Sequence, residues 1–177
     1  MRVLISIGSN LEPRHHLAVA LAALEARYGS VTTSPVYESA AVGFDGPPFL
    51  NLVAAFDTAE AVGTTAGALR RIEDECGRDR SGPRFSSRTL DLDILLHGDT
   101  VGEVDGVRLP RDEILTAPFV LRPLADVAPQ MCHPADGRSF ATLWRERGAA
   151  IGGGRLRRVE PLGRAALDRG GVVAARP

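Results

Sequence analysis

Apolar and polar positions along this chain follow two periods, one near two residues and one near 3.6. Val3 to Ile7 is a short apolar run that stops at Gly8-Ser9-Asn10, which predicts a strand followed by a turn. From Pro13, suited to a first helical turn, Leu17, Leu21 and Leu24 recur at helical spacing until Gly29. SVTTSPVYES (30–39) is β-branched and predicts a strand, with Pro35 pointing to an edge or a bulge. AAVGFDGPPF (40–49) is a loop by its glycine and proline content. FLNLVAAF (49–56) predicts a second strand, with Phe49, Asn51 and Val53 on one face and Leu50, Leu52 and Ala54 on the other. A helix is expected from about Ala59 to Cys76, with Leu69, Ile72 and Cys76 on its apolar stripe and Gly77 closing it.

The pattern continues with a strand at 88–96, a turn at His97-Gly98-Asp99, and a short hairpin through Val107 to Leu109. Short helices are expected within 117–129 and 139–148, the second burying Phe140, Leu143 and Trp144. Strand, helix, strand, strand, helix, strand over residues 2–97 is the split βαβ order. It predicts an α+β, ferredoxin-like fold, an antiparallel sheet with helices packed on it. No core pattern is visible after Gly152, so residues 1–151 read as the domain and 152–177 as a flexible or loosely docked tail.

One strand breaks the apolar logic. In RTLDLDILL (88–96), Thr89, Asp91 and Asp93 share one face, while Leu90, Leu92 and Ile94 share the other. A lone buried carboxylate costs several kcal/mol or takes up a proton. Two carboxylates at i and i+2 stand roughly 7 Å apart at their Cα atoms, so their oxygens can converge on a divalent cation. Hard oxygen donors suit Mg2+, which keeps waters and completes its octahedron with phosphate oxygens. A D-x-D spacing alone is more often that of a solvated strand face; the neighbourhood decides. Arg70, Arg71, Arg78, Arg80, Arg84 and Arg88 lead into it, and guanidinium forks match phosphate oxygens. Together they read as a polyphosphate clamp with its metal site, and the glycine and proline of RSGPR give the loop freedom to close over it.

Composition narrows this further. The chain has 177 residues, 44% apolar and 24% charged, as expected for one soluble globular domain. No apolar stretch is long enough to span a membrane, and MRVLISIGSN lacks an extended apolar leader, so a cytoplasmic protein without a membrane partner is expected. All 21 basic side chains are arginine. Without lysine, a Walker A loop and Schiff-base chemistry are excluded. The net charge of -1 gives no general attraction to nucleic acid. Cys76 and Cys132 fit no C-x-x-C pattern and read as buried or half-buried thiols; the histidines lack zinc-ligand spacing, and His15 and His16 read as surface residues.

In order, the chain carries IGSN, Y-E-S-x-x-x-G…P-F-L-N, R-I-E-x-x-x-G-R-x-R, R-T-L-D-L-D-I-L, L-P and F-V-L-x-P-L-x-x-x-A-P. This series resembles the 6-hydroxymethyl-7,8-dihydropterin pyrophosphokinase family over about three quarters of the chain. The resemblance implies an ATP-dependent diphosphokinase of folate biosynthesis, moving the β,γ-diphosphate of ATP to the pterin's hydroxymethyl oxygen and leaving AMP. Carried over by position, Asp91 and Asp93 become ligands of two Mg2+ ions bound with ATP. Arg78 and Arg88 become phosphate-contacting catalytic residues, and Glu73, Arg80, Ile94 and Arg111 further ATP-site positions. Asn51 becomes the hydrogen-bonding partner of the pterin, Phe49 and Phe119 the aromatics around it, and Ser39, Val42 and Phe85 substrate-side loop positions. A monomer is the family expectation.

The chain departs from the family pattern at several places. Arg70 stands where glutamine is usual, Phe85 where tryptophan is, Ser86-Ser87 for a glycine-proline pair, Arg111 for histidine, Ala117 for arginine, and Ser39-Ala40 for threonine-proline. The alternative readings are a divergent paralogue with weak activity or a related pterin substrate and, in another class, a ferredoxin-like nucleic-acid module. Against the second stand the negative net charge and the two aspartates, which repel a phosphate backbone.

Overall fold

Gly8 and Ser9 do not turn: the first strand, β1 (Arg2–Ser9), runs through both of them. In the computed structural model, which describes residues 1–78 and 87–162, β1 is an interior strand of the main sheet. It is followed by α1 (Pro13–Tyr28), β2 (Thr32–Thr33), β3 (Tyr37–Ser39), β4 (Phe49–Asp57), α2 (Val62–Glu75) and β5 (Asp91–His97). Then come the hairpin β6 (Gly102–Val104) and β7 (Val107–Leu109), α3 (Glu113–Thr116), α4 (Pro118–Val127), α5 (Phe140–Arg147) and β8 (Arg157–Arg158). The main sheet has the order β5-β1-β4-β3-β8 with every neighbour antiparallel, and β2 adds to the same side of β4 as β3. This is the ferredoxin-like order with an added outer strand.

The expected strand at 30–39 is split in two. Pro35 has no N–H to give to a ladder, and the break between β2 and β3 falls around it. Ser34 repairs the gap: its N–H donates to Val53 O at 2.9 Å, and its Oγ accepts from Val53 N at 3.0 Å. Pro13 opens α1 after Glu12, and Gly29 closes it at φ 76°. The sheet carries helices on both faces. Leu50, Leu52, Ala54 and Phe56 join Leu17, Leu24 and Leu69 under α1 and α2. Val53 and Ala55 join Leu121, Leu124, Phe140 and Leu143 under α4 and α5. The two faces read from the alternation in 49–56 are thus the two core layers.

On β5, Leu92 and Ile94 are buried while Asp91 and Asp93 stay partly open. The pairing of β5 with β1 shifts between Leu4 and Ile5, where Leu4 faces Leu96 and Ile5 faces Ile94. Leu95 is therefore an extra residue, a bulge at the sheet's edge strand. Its carbonyl accepts instead from the N–H of Arg111 at 3.1 Å, which ties the segment after β7 to β5.

Beyond Gly152 the chain continues through a 3-10 turn at Gly153–Arg155 into β8, which pairs with Tyr37 and Glu38 of β3. Val159 and Leu162 pack against the core beneath α1 and α2. The turn is possible because Gly153 lies on the indole of Trp144; a Cβ there would stand 2.5 Å from Cη2. His16 is buried rather than exposed, its Nδ1 2.7 Å from Leu11 O. Cys76 is buried as expected, whereas Cys132 is exposed.

Candidate active site

Strand register brings distant residues into one row. Gly8 of β1 faces Asp91 of β5 on one side and Asn51 of β4 on the other, and Asn51 faces Tyr37 of β3. Strands lie about 4.8 Å apart, so the row joins the carboxylate edge to the amide with only a glycine between. A Cβ on Gly8 would approach Asn51 Oδ1 to 3.2 Å. The missing side chain leaves the floor open.

Above this floor lies a cavity of about 530 Å3. Ser6, Gly8 and Asn51 line its base, Asp91, Asp93, Arg78, Arg88 and Arg111 its charged end, and Phe49 and Phe119 its aromatic walls. Val42, Phe44 and Ser39 belong to its lip, and Leu95, Glu113 and Val120 also border it. A second cleft of about 260 Å3 lies between β5, α2 and β7, lined by Glu73, Arg70, Ile94, Gly106 and Val107. Arg78, Asp91, Asp93 and Arg111 line both. The two aspartates therefore stand where an apolar ring pocket meets a polar cleft.

Each carboxylate is held by arginine. Arg78 donates to Asp91 Oδ1 at 2.8 Å and to Leu90 O, and Arg88 pairs with Asp91 Oδ2. Arg111 reaches Asp93 Oδ1 at 2.5 Å, with its Nε 3.8 Å from Glu113. Glu73, on the last turn of α2, accepts from the N–H of Leu92 at 2.9 Å and lies 3.7 Å from Arg78, so α2 and β5 are clamped beside the aspartates. Burial first, and then the neighbouring Asp91 charge, push the Asp93 carboxyl up to about 6, with Arg111 opposing. A pair of close carboxylates that resist sharing negative charge is suited to a divalent cation. No cluster of three or more His, Cys, Asp or Glu that could hold a metal ion occurs among the described residues. Asp91 and Asp93 fit an ion that takes its other oxygens from water and substrate.

Asn51 is nearly buried and has its amide fixed: Nδ2 donates to Ser39 Oγ at 3.0 Å and is 3.5 Å from Tyr37 O. Tyr37 in turn donates to Asp126 Oδ2 at 2.6 Å and accepts from Arg122 Nε at 3.1 Å. Those contacts dock α4 on β3, and α4 presents Phe119 near its first turn. Asn10, part of IGSN, was not expected to organise the site. Its Nδ2 donates to Pro47 O at 3.1 Å and Ser87 Oγ at 3.2 Å, and its Oδ1 accepts from Arg88 N at 2.7 Å. One buried amide thus holds the base of the 40–48 loop and the approach to β5.

Of the residues singled out from the sequence, Glu73, Arg78, Arg88, Asp91, Asp93, Ile94 and Arg111 meet at the charged end, and Ser39, Val42, Phe49, Asn51 and Phe119 around the ring pocket. Arg80, Arg84 and Phe85 lie outside the described residues. Arg71 is exposed and borders neither cleft. Ala117, at the N-cap of α4, is buried and offers no cation from its position. Ser6, Gly8, Phe44 and Asn10 were missed. A glycine within a strand marks a close backbone approach, and that signal was available at Gly8.

The 7,8-dihydro-6-hydroxymethylpterin-pyrophosphokinase family model matches residues 4–129. The chain is 43% identical over 146 residues to the 2-amino-4-hydroxy-6-hydroxymethyldihydropteridine pyrophosphokinase of Pseudomonas aeruginosa, covering 80% of this chain and 89% of the relative. It is 38% identical over 139 residues to the enzyme of that name from Porphyromonas gingivalis, covering 75% and 93%. Among solved structures, a Plasmodium falciparum HPPK-DHPS triple mutant with pteroate superposes with a TM-score of 0.69 at 12% identity. That match covers 89% of this chain and 46% of the other, so this chain spans about half of that longer protein, and the likeness speaks for the fold. The motif order, the shared fold and the matched residues agree: the chain belongs to the 7,8-dihydro-6-hydroxymethylpterin-pyrophosphokinase family.

Proposed function

We propose that this chain transfers the β,γ-diphosphate of ATP to the hydroxymethyl oxygen of 6-hydroxymethyl-7,8-dihydropterin, with Asp91 and Asp93 as the centre of the site. The observation that carries the reading is their position at the junction of the ring pocket and the polar cleft, ringed by Arg78, Arg88 and Arg111. The pterin lies between Phe49 and Phe119, its polar edge against the Asn51 amide. The triphosphate lies in the cleft along Glu73, Ile94 and Arg111. The hydroxymethyl oxygen bonds to the β-phosphorus, the bond from that phosphorus to the α,β-bridging oxygen breaks, and AMP leaves with that oxygen while the hydroxyl proton is released.

Two Mg2+ ions on Asp91 and Asp93, when bound, neutralise phosphate charge. Arg78 and Arg88 supply further fixed positive charge where negative charge gathers, a contribution that needs no reorganisation during the reaction. The clefts hold the two reactants in register, which replaces a bimolecular encounter by a positioned one. All of the described groups named here lie on one chain, which supports a monomer as the active form. No helix among the described residues is long and apolar enough to cross a membrane.

The test is to incubate the protein with ATP, Mg2+ and 6-hydroxymethyl-7,8-dihydropterin and to separate the products. AMP and pterin diphosphate are expected from the wild type and at most traces from the Asp91→Ala, Asp93→Ala double variant. A wild type that binds ATP but releases no AMP with this pterin would sink the reading.

A further inference from the structure

The ring pocket has an aromatic at its lip that the motif match leaves without a role. Phe44 sits in the loop between β3 and β4, half-buried, and borders the cavity. Its ring meets that of Phe49 edge to face, with centroids 6.3 Å apart and planes at 87°. The loop is shaped to hold it there. Gly43 takes φ 82°, a conformation costly to other residues. At Gly46 a Cβ would stand 2.4 Å from Phe44 Cε2, so a side chain there would push the ring from this position. The base of the loop is fixed by the bond from Asn10 to Pro47 O. A large apolar ring held half-open over a cavity is poorly buried by its own chain; a flat ligand would complete the burial.

We infer that Phe44 is a substrate-binding residue, a third aromatic face that closes the pterin pocket against Phe49. This rests on the cavity being the pterin site. Phe44 contributes to holding the ring and not to the nucleotide, since it borders the first cleft and not the second.

The experiment is calorimetric titration of wild type, Phe44→Ala, Phe44→Leu and Phe44→Tyr with 6-hydroxymethylpterin in the presence of Mg2+ and α,β-methylene ATP, and separately with that nucleotide alone. Phe44→Ala is expected to weaken pterin binding by about tenfold, the scale of one lost aromatic contact. Phe44→Leu, which keeps bulk without a ring, should fall between, and Phe44→Tyr should stay near wild type. Nucleotide affinity should be unchanged in all of them. In steady state the loss should appear in KM for the pterin with kcat retained. Pterin affinity unchanged in Phe44→Ala and Phe44→Leu overturns the inference, as does an equal loss for the nucleotide, which would mark a general loop defect. A wild type that binds the nucleotide but no pterin would instead remove the reading of the cavity, and this inference with it.

Discussion

Asp93 is a carboxylate whose surroundings favour its neutral form. Its folded-state pKa of about 6 lies above the ordinary value of 3.8, so the folded chain binds this proton more readily than the unfolded chain. The resulting stability is fully present below about pH 4 and is lost as the pH rises through about 6. About 41% of the side-chain surface remains open, so solvent screening leaves on the order of 1 kcal/mol of the shift. Urea unfolding in chelator should therefore give wild type and Asp93→Asn different pH profiles. The variant is expected to gain on the wild type between pH 4 and 6.5; parallel profiles would refute the assignment. The aspartates themselves were legible in the sequence because two charges on one strand face demand a partner. Their arginine pairings were not. Arg111 reaches Asp93 across eighteen positions, a contact set by the bulge at Leu95 that no local period announces.

Among the elements, α2 shows how a remote segment can complete a helix. Its N-cap, Ala61, has no side chain to offer the first turn. Asp105, in the β6–β7 turn at φ 53°, supplies one: its Oδ2 accepts from Gly63 N at 2.9 Å. A Cβ on Gly63 would lie 2.8 Å from that oxygen, so the glycine is part of the cap. Asp105→Ala is expected to lose about 1 kcal/mol in denaturant titration, the usual worth of a cap; a loss below a few tenths would reject the role. Sequence reasoning found α2 and the hairpin separately, since each carries its own pattern. Their junction joins residues 42 positions apart, so neither pattern contains it. The split between β2 and β3 was half visible: Pro35 marked the disruption, but not the rescue by Ser34.

For the whole molecule, the face alternation of β4 and β5 gave both core layers, and the element order gave the ferredoxin-like sheet. The added β8 was not visible, because two residues carry no period. Both are arginine, and charge on a short outer strand discourages pairing with another chain. Arg157 also reaches Glu38 at 2.7 Å. A chain ending at Gly152 would lose this strand together with Val159 and Leu162. It is expected to melt earlier and to self-associate with concentration in sedimentation velocity, through the uncovered edge of β3. An unaltered melting point and a single sedimenting species would contradict that.

The row Asp91, Gly8, Asn51 and Tyr37 crosses four strands that are far apart in sequence. A one-residue slip of β1 would turn Gly8 away and put Ile7 or Ser9 on the floor, on the opposite face from its native one. The site therefore has no local address in the chain and exists only when three ladders agree. A titration with ligand then counts correctly registered molecules, and the bound fraction of a preparation becomes a measure of refolding fidelity that spectroscopic helix content would miss.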